Sequence, residues 1–192
     1  MTSQAHSESD EELAKRVQGG DHDSFGVLVE RFEKKLMRYG SKFLADQDDV
    51  KDLVQDVFIS VYQNIRSFDL SQRFSPWIYR VAHNTFVSGI RKHSRNPLLL
   101  LDFDALVAHV VYEDPAEAER EQKEMRALIE RGLENVSPKY REVLVLYYLE
   151  EMPYKDIADI IQVPTGTVSV RLRRAKEALR AVYNDMQITY GT

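Results

Sequence analysis

Between Tyr154 and Leu179 the chain reads YKDIADIIQVPTGTVSVRLRRAKEAL, a pattern that few arrangements of backbone accommodate. Ile157, Ala158, Ile160 and Ile161 fall at helical spacing, which predicts a first helix with one apolar face. Gln162-Val163-Pro164 stops that helix, because the residue before a proline is pushed out of the α region. Thr165 is placed to cap a second helix by accepting a hydrogen bond from a first-turn amide. In the second helix Val168, Leu172, Ala175 and Leu179 recur at three and four residues and are expected to face inward. The other faces carry Thr167, Ser169, Val170, Arg171, Arg173, Arg174, Lys176 and Arg180, with Glu177 as the single opposing charge. This is the pattern of a helix-turn-helix whose second helix suits a DNA major groove. The plainer alternative is an αα-hairpin with a solvated basic face.

At 192 residues the chain allows one domain or two small ones. Hydrophobic residues make up 43%, enough for packed cores, and 30% are charged, which indicates a soluble protein. No apolar run approaches the roughly 18 residues needed to span a bilayer. The N-terminal MTSQAHSESDEE is polar and acidic, unlike a secretory signal. Without cysteine there is no disulfide, thiol switch or Cys-based zinc site. A cytoplasmic location is expected from these features together.

The net charge of −5 is unusual for a protein that binds DNA unaided, since phosphate neutralisation supplies most non-specific affinity. Its distribution is more informative than its sum. Leu70–Leu101 contains no acidic residue and carries Arg73, Arg80, Arg91, Lys92 and Arg95. Asn96–Glu117 inverts this, with Asp102, Asp104, Glu113, Asp114 and Glu117 and nothing basic. The chain is banded basic, acidic, then basic again.

Taken in order, residues 1–10 have the composition of a disordered terminus. Leu13, Ala14 and Val17 predict a short helix that Gly19-Gly20 ends. Asp21 or Asp23 can cap the next, whose apolar stripe runs from Phe25 to about Ala45. A third helix is expected from about Asp48 to Arg66, with Val50, Leu53, Val54, Val57, Phe58, Val61 and Ile65 buried. After a loop, Ser75-Pro76 should start a fourth as cap and first position, running to about Arg95. Residues 96–114 read as an acidic linker. Helices are then expected from about 115 to 135, with Met125, Ile129 and Leu133 as a seam, and from Ser137-Pro138 onward, before the helix-turn-helix. Strand signals are missing throughout. The fold expected is all-α: one helical domain over 11–95, a flexible linker, and a second over 115–186 that contains the helix-turn-helix, with 187–192 as a tail.

Two stretches carry a family resemblance. DDVKDLVQDVFISVYQNIRSFD is followed by FSPWIYRVAHN and the basic IRKHSR, and later comes SPKYREVLVLYYLEEMPYKDIADIIQVPTGTVSVRLRRAKEAL. In this order and spacing the chain resembles a bacterial alternative RNA polymerase sigma factor of the extracytoplasmic-function (ECF) group. The resemblance implies that the first domain, region 2, binds the β′ clamp helices of core RNA polymerase and opens the minus-10 element. It implies that the second, region 4, reads the minus-35 element and docks on the β flap, while the linker follows the RNA exit path. An acidic linker suits a channel built for RNA, and a negative total suits a protein that binds promoters only within a complex. Members of this group are often held by an anti-sigma factor.

Carried onto this sequence, the clamp contact falls on Asp49, Asp52, Gln55 and Asp56, and the minus-10 reading loop on Arg66–Phe74. There Ser67, Phe68, Asp69, Leu70, Ser71, Gln72 and Arg73 are candidates, because reading a splayed base takes polar loop atoms and a stacking plane. Arg80, His83, Asn84, Arg91 and Lys92 are expected to face outward, toward phosphate or single strand. Trp77 could act as a melting wedge but is better read as core, one turn before Val81. On the recognition helix, Arg171, Arg173 and Arg174 can fork onto guanine or phosphate, with Lys176 beside them. Ser169 and Val170 reach a base edge and a thymine methyl, and Thr165 and Thr167 sit where first-turn groups meet phosphate. Ser169 and Val170 depart from the family's commoner basic and small polar residues, which leaves the identity of the minus-35 bases open.

Other readings are a stand-alone helix-turn-helix regulator, a sigma-like protein that acts without reading DNA, and an enzyme. The last finds little support: the five histidines are scattered, with no H-E-x-x-H and no phosphate-binding glycine loop. No catalytic residue, metal, cofactor, small-molecule substrate or membrane insertion is expected.

Overall fold

The structure is a computed structural model that describes residues 8–41, 44, 46–93, 125, 128–129 and 132–190. The chain divides into two compact units, Met1–Arg95 and Asn96–Thr192. Among the described residues every regular element is helical, so the all-α expectation holds. The expected linker over 96–114 and most of the helix expected over 115–135 lie outside the described residues.

The first unit is four helices: α1 (Asp10–Gln18), α2 (His22–Gly40), α3 (Gln47–Asn64) and α4 (Phe74–His93). A capping box starts α1: the Ser9 hydroxyl accepts from the Glu12 amide at 3.2 Å, and the Glu12 carboxylate accepts from the Ser9 amide at 2.7 Å. Ser9 and Asp10, expected in a disordered terminus, thus belong to a helix start. Gly20, at φ 98, turns the chain where an L side chain would be strained. Asp21 then caps α2, accepting from Asp23 and Ser24 amides, and Asp46 caps α3 in the same way through Asp48 and Asp49. Asp21 also takes the Arg16 guanidinium, and together with Ser24 this holds its carboxyl below the usual carboxylate range.

Three element ends differ from expectation. α2 stops at Gly40 rather than near Ala45. Gly40 lies where α3 and α4 close on α2, and a Cβ there would stand 2.9 Å from Val50 Cγ1 and 3.0 Å from Phe86 Cζ. The next residue, Ser41, turns its hydroxyl back to the Arg38 carbonyl at 2.9 Å and competes with the helical ladder. α3 gives way at Ile65–Ser67 to a 3-10 turn. α4 begins at Phe74, so Ser75 and Pro76 lie inside its first turn rather than at its cap. Proline is tolerated there because first-turn amides have no intrahelical partner anyway.

In the second unit Met125, Leu128 and Ile129 are helical and buried. A 3-10 turn at Leu133–Asn135 leads to α5 (Pro138–Leu144), with Pro138 at its first position. α5 runs on as a π turn over Val145–Leu149, which turns Val145, Leu146 and Tyr148 into the core. Its Tyr147 ring meets those of Tyr148 and Tyr154 edge-on, at 4.8 and 5.2 Å. α6 (Tyr154–Ile161) and α7 (Thr165–Tyr190) complete the unit. Thr165 is the first helical residue of α7 and not its cap: the amides of Thr167 and Val168 are directed to the Pro164 carbonyl. The helix continues to Tyr190, through most of the stretch expected as a tail.

Gly40→Ala tests the close approach of the three helices. Alanine gains about 1 kcal/mol of helix propensity over glycine, but overpacking against buried Val50 and Phe86 costs about 1–3 kcal/mol and outweighs it. The variant should shift the urea midpoint of the first unit downward, and adding Val50→Ala should not lower it by the full sum of the two single effects.

Candidate nucleic-acid interface

The helix-turn-helix forms because α6 and α7 share one apolar seam. Ile157, Ala158, Ile160 and Ile161 are buried on α6, as are Val168, Leu172, Ala175 and Leu179 on α7. The turn rests on Gln162, which adopts the left-handed region at φ 56, while the Val163 amide bonds back to the Ala158 carbonyl at 3.1 Å. Gln162-Val163-Pro164 is the expected stop, through the restriction that proline places on Val163; the structure adds that the left-handed turn itself falls on Gln162. On the far side of α7, Thr165, Arg173 and Arg180 are exposed, and Thr167, Ser169, Val170, Arg171, Arg174 and Lys176 are half-buried. The arrangement presents one basic ridge over an apolar seat.

The second cluster surrounds the segment between α3 and α4. Ser67, Asp69, Leu70, Ser71, Gln72 and Arg73 are exposed. Asp69 builds a turn within the loop: its carboxylate accepts from the Ser71 amide at 2.9 Å, and its carbonyl from the Gln72 amide at 2.9 Å. The Ser71 amide, and after it the Ser71 side chain, hold the Asp69 carboxyl below the usual range. Phe68 differs from its neighbours. It is 5% exposed, with its ring 5.4 Å from Phe74 and 5.0 Å from Trp77, so it anchors the loop and offers no open face for stacking on a base. Trp77 is half-buried and completes this cluster. On α4, Arg80 and Asn84 are exposed and His83 is half-buried. Arg91 and Lys92 lie on the helical backbone, and their side chains are outside the described residues.

Asp49, Asp52, Gln55 and Asp56 are all exposed on α3. Two apolar side chains missed by the sequence reading continue that face: Ile59 is 55% exposed and Tyr62 is 42% exposed. Asp52, Gln55, Ile59 and Tyr62 follow one another at three and four residues, so they form one stripe. Ile59 falls out of phase with the buried Val50, Val54, Val57 and Val61, and that offset was the available signal. Tyr62 also bonds His22 Nδ1 at 2.7 Å and stands edge-on to Phe25. Beside the stripe, a cavity of about 460 Å³ opens between α3 and α4, with Asp56, Ser60, Asn84 and Ser88 on its walls and Leu53 against Gly89. No group of acidic or histidine side chains suited to a metal occurs among the described residues.

Two helical units, one bearing a helix-turn-helix with a basic ridge and the other an exposed polar loop, have the layout of a DNA-binding protein. Comparison with known proteins makes the class specific. The family model for sigma-70 region 2 matches residues 28–96, and that for sigma-70 region 4 matches residues 126–179. The ECF RNA polymerase sigma factor SigW of Bacillus subtilis is 32% identical over 183 residues, covering 90% of this chain and 95% of that protein. The ECF RNA polymerase sigma-E factor of Escherichia coli K12 is 33% identical over 178 residues, covering 89% and 92%. Among solved structures, CnrH bound to the cytosolic domain of CnrY aligns with a TM-score of 0.65 at 22% identity, over 93% of this chain and 99% of that one. The sigma factor RpoE of Bartonella quintana, solved with the anti-sigma factor NepR, aligns with a TM-score of 0.58 at 22% identity, over 83% and 96%. The chain belongs to the sigma-70 family of RNA polymerase sigma factors, in its ECF group. It works with core RNA polymerase and promoter DNA to direct promoter-specific transcription initiation.

Two measurements separate scaffold from surface here. Leu172→Ala, at a fully enclosed position of α7, should destabilise the second unit by about 2–5 kcal/mol, whereas exposed Arg173→Ala should stay within about 0.5 kcal/mol of the parent in the same thermal melt. For the loop, the sign of the Asp69 shift sets the pH window. A carboxyl lowered in the folded chain stabilises the turn above the ordinary aspartate value of about 3.9 and loses that contribution as pH falls through the lowered value. The Ser71 amide resonance should therefore be flat from neutral pH downward and titrate only below the ordinary aspartate range.

Proposed function

We propose that α7 lies in the major groove of the minus-35 element, with Thr165 and Thr167 toward phosphate, Ser169 and Val170 toward base edges, and Arg171, Arg173, Arg174 and Lys176 on guanine or phosphate. The observation that carries this is the division of α7 into a seam of buried Val168, Leu172, Ala175 and Leu179 and an outer basic ridge, with Arg173 and Arg180 exposed on it. Ser67, Asp69, Ser71, Gln72 and Arg73 read the minus-10 element from the loop, and Phe68 shapes that loop from beneath. Arg80, His83, Asn84, Arg91 and Lys92 take the adjoining strand. Asp49, Asp52, Gln55 and Asp56 meet the clamp helices of the polymerase, with Ile59 and Tyr62 adding apolar contact at the end of the same stripe.

The work of these residues is recognition, and the protein acts inside the cell without chemistry of its own. No helix among the described residues is long and apolar enough to cross a membrane. The RpoE structure contains an anti-sigma factor, and an anti-sigma partner for this chain is part of the same proposal.

Run-off transcription with core polymerase on a pooled promoter library tests the assignment. New start sites that depend on the protein should share two upstream elements. Arg171→Ala or Arg173→Ala should relax one position of the upstream element, at a cost of about 1–3 kcal/mol where the arginine reads a guanine. Retardation of duplex DNA by the protein alone, with no new transcripts, would instead mark an autonomous regulator.

A further inference from the structure

The loop between α3 and α4 is held at both ends by a helix that precedes the region-2 match at 28–96. At its entrance, Gln18 Nε2 donates to the Ile65 carbonyl and to the Phe68 carbonyl, each at 2.8 Å and partly buried. A side-chain amide has two N–H groups, and both are used here. At its exit, the Glu11 carboxylate accepts from the Phe74 amide at 2.8 Å. Phe74 is the first residue of α4, so Glu11 satisfies an amide that has no partner within its own helix. A carboxylate at that end also faces the positive pole of α4.

Glu11 and Gln18 lie on one face of α1 about two turns apart, a separation of roughly 10 Å along the axis. They therefore fix the distance between the residues that open the loop and the residue that closes it. Between these anchors Asp69, Leu70, Ser71, Gln72 and Arg73 stand exposed. α1 is itself secured: Leu13, Ala14 and Val17 are buried, and Asp10 pairs with Arg31 of α2 at 2.6 Å.

We infer that Gln18 and Glu11 are positioning residues for minus-10 recognition, setting the aperture across which the exposed loop residues meet their bases. The inference rests on the assignment of the loop to the minus-10 element. Neither residue touches DNA. Each acts by making one loop geometry much more populated than the rest, and a base edge is read only when the loop atoms are held in place before contact.

The test is run-off transcription by the full chain in holoenzyme on a library randomised across the minus-10 element, alongside affinity for core polymerase and thermal melting. Glu11→Ala should flatten the minus-10 base preference about fivefold, the worth of one hydrogen bond, and Gln18→Ala should flatten it further. Preference at the minus-35 element and affinity for core polymerase should be unchanged. Glu11→Gln keeps the accepting oxygen and should restore the preference lost in Glu11→Ala. Gln18→Met keeps the length and volume of the side chain without its donors; it carries the Gln18 arm if the alanine variant does not fold. A merely structural helix would give variants that melt earlier and transcribe less from every promoter with the base preference intact, and that result overturns the inference. Ser71→Ala with Gln72→Ala is the control on the loop. If that pair changes the preference and the α1 variants do not, only the inference fails. If the loop pair also leaves it unchanged, the loop assignment fails and takes the inference with it.

Discussion

Phe74 is where the first unit is tied together. Its ring is fully buried, meeting Phe32 of α2 at 5.6 Å and Phe68 of the loop at 5.4 Å. Its amide is held by Glu11 of α1, and its backbone opens α4. One residue thereby joins three helices and the loop. Offset and edge-on aromatic contacts of this kind add to the free energy of burial and also fix direction. An aliphatic residue at the same place would fill space but leave the loop's orientation less determined. The exposed part of the loop, Asp69–Arg73, is bounded on both sides by buried members of this cluster, Phe68 and Phe74.

In the second unit the seam between α6 and α7 is aliphatic. Ile157, Ile160, Ile161, Val168, Leu172 and Leu179 are buried side chains drawn from α6 and α7, and they set the relation of the two helices. The basic ridge is then a consequence of geometry: with the seam occupied by apolar groups, the charged residues of α7 have only the outside available. The negative charge of the whole chain makes this ridge weak as a free-standing anchor, since non-specific affinity follows phosphate neutralisation. Promoter recognition is accordingly carried out together with core RNA polymerase.

Much of this was legible from period and punctuation. The buried face of α7 and the valine stripe of α3 came directly from helical spacing, because a helix on a core must bury a stripe. What escaped the sequence was non-local. Ser75-Pro76 is a good local start signal, yet α4 begins at Phe74 because a carboxylate more than sixty positions earlier, Glu11, satisfies its first amide. Gly40, the last residue of α2, leaves no room for a Cβ because Val50 and Phe86, from two later helices, close on it. Phe68 looked like a stacking surface within a polar loop; its partners Phe74 and Trp77, which close over it, belong to the next helix. The left-handed Gln162 is a local feature, but nothing in the residue type announces it, since glycine or asparagine would have been the expected choice there. Ile59 is the exception, since its exposure follows from a local signal, an apolar residue out of phase with the buried valines.

α7 is a single rod of 26 residues, about 39 Å long at the usual rise. Its buried residues, Val168, Leu172, Ala175 and Leu179, lie in its first fifteen positions, and the helix continues past them to Tyr190. A continuous helix of this length moves as one body. A displacement imposed anywhere along its backbone is therefore carried to the turn at Thr165, which couples the basic ridge mechanically to the opposite end of the unit.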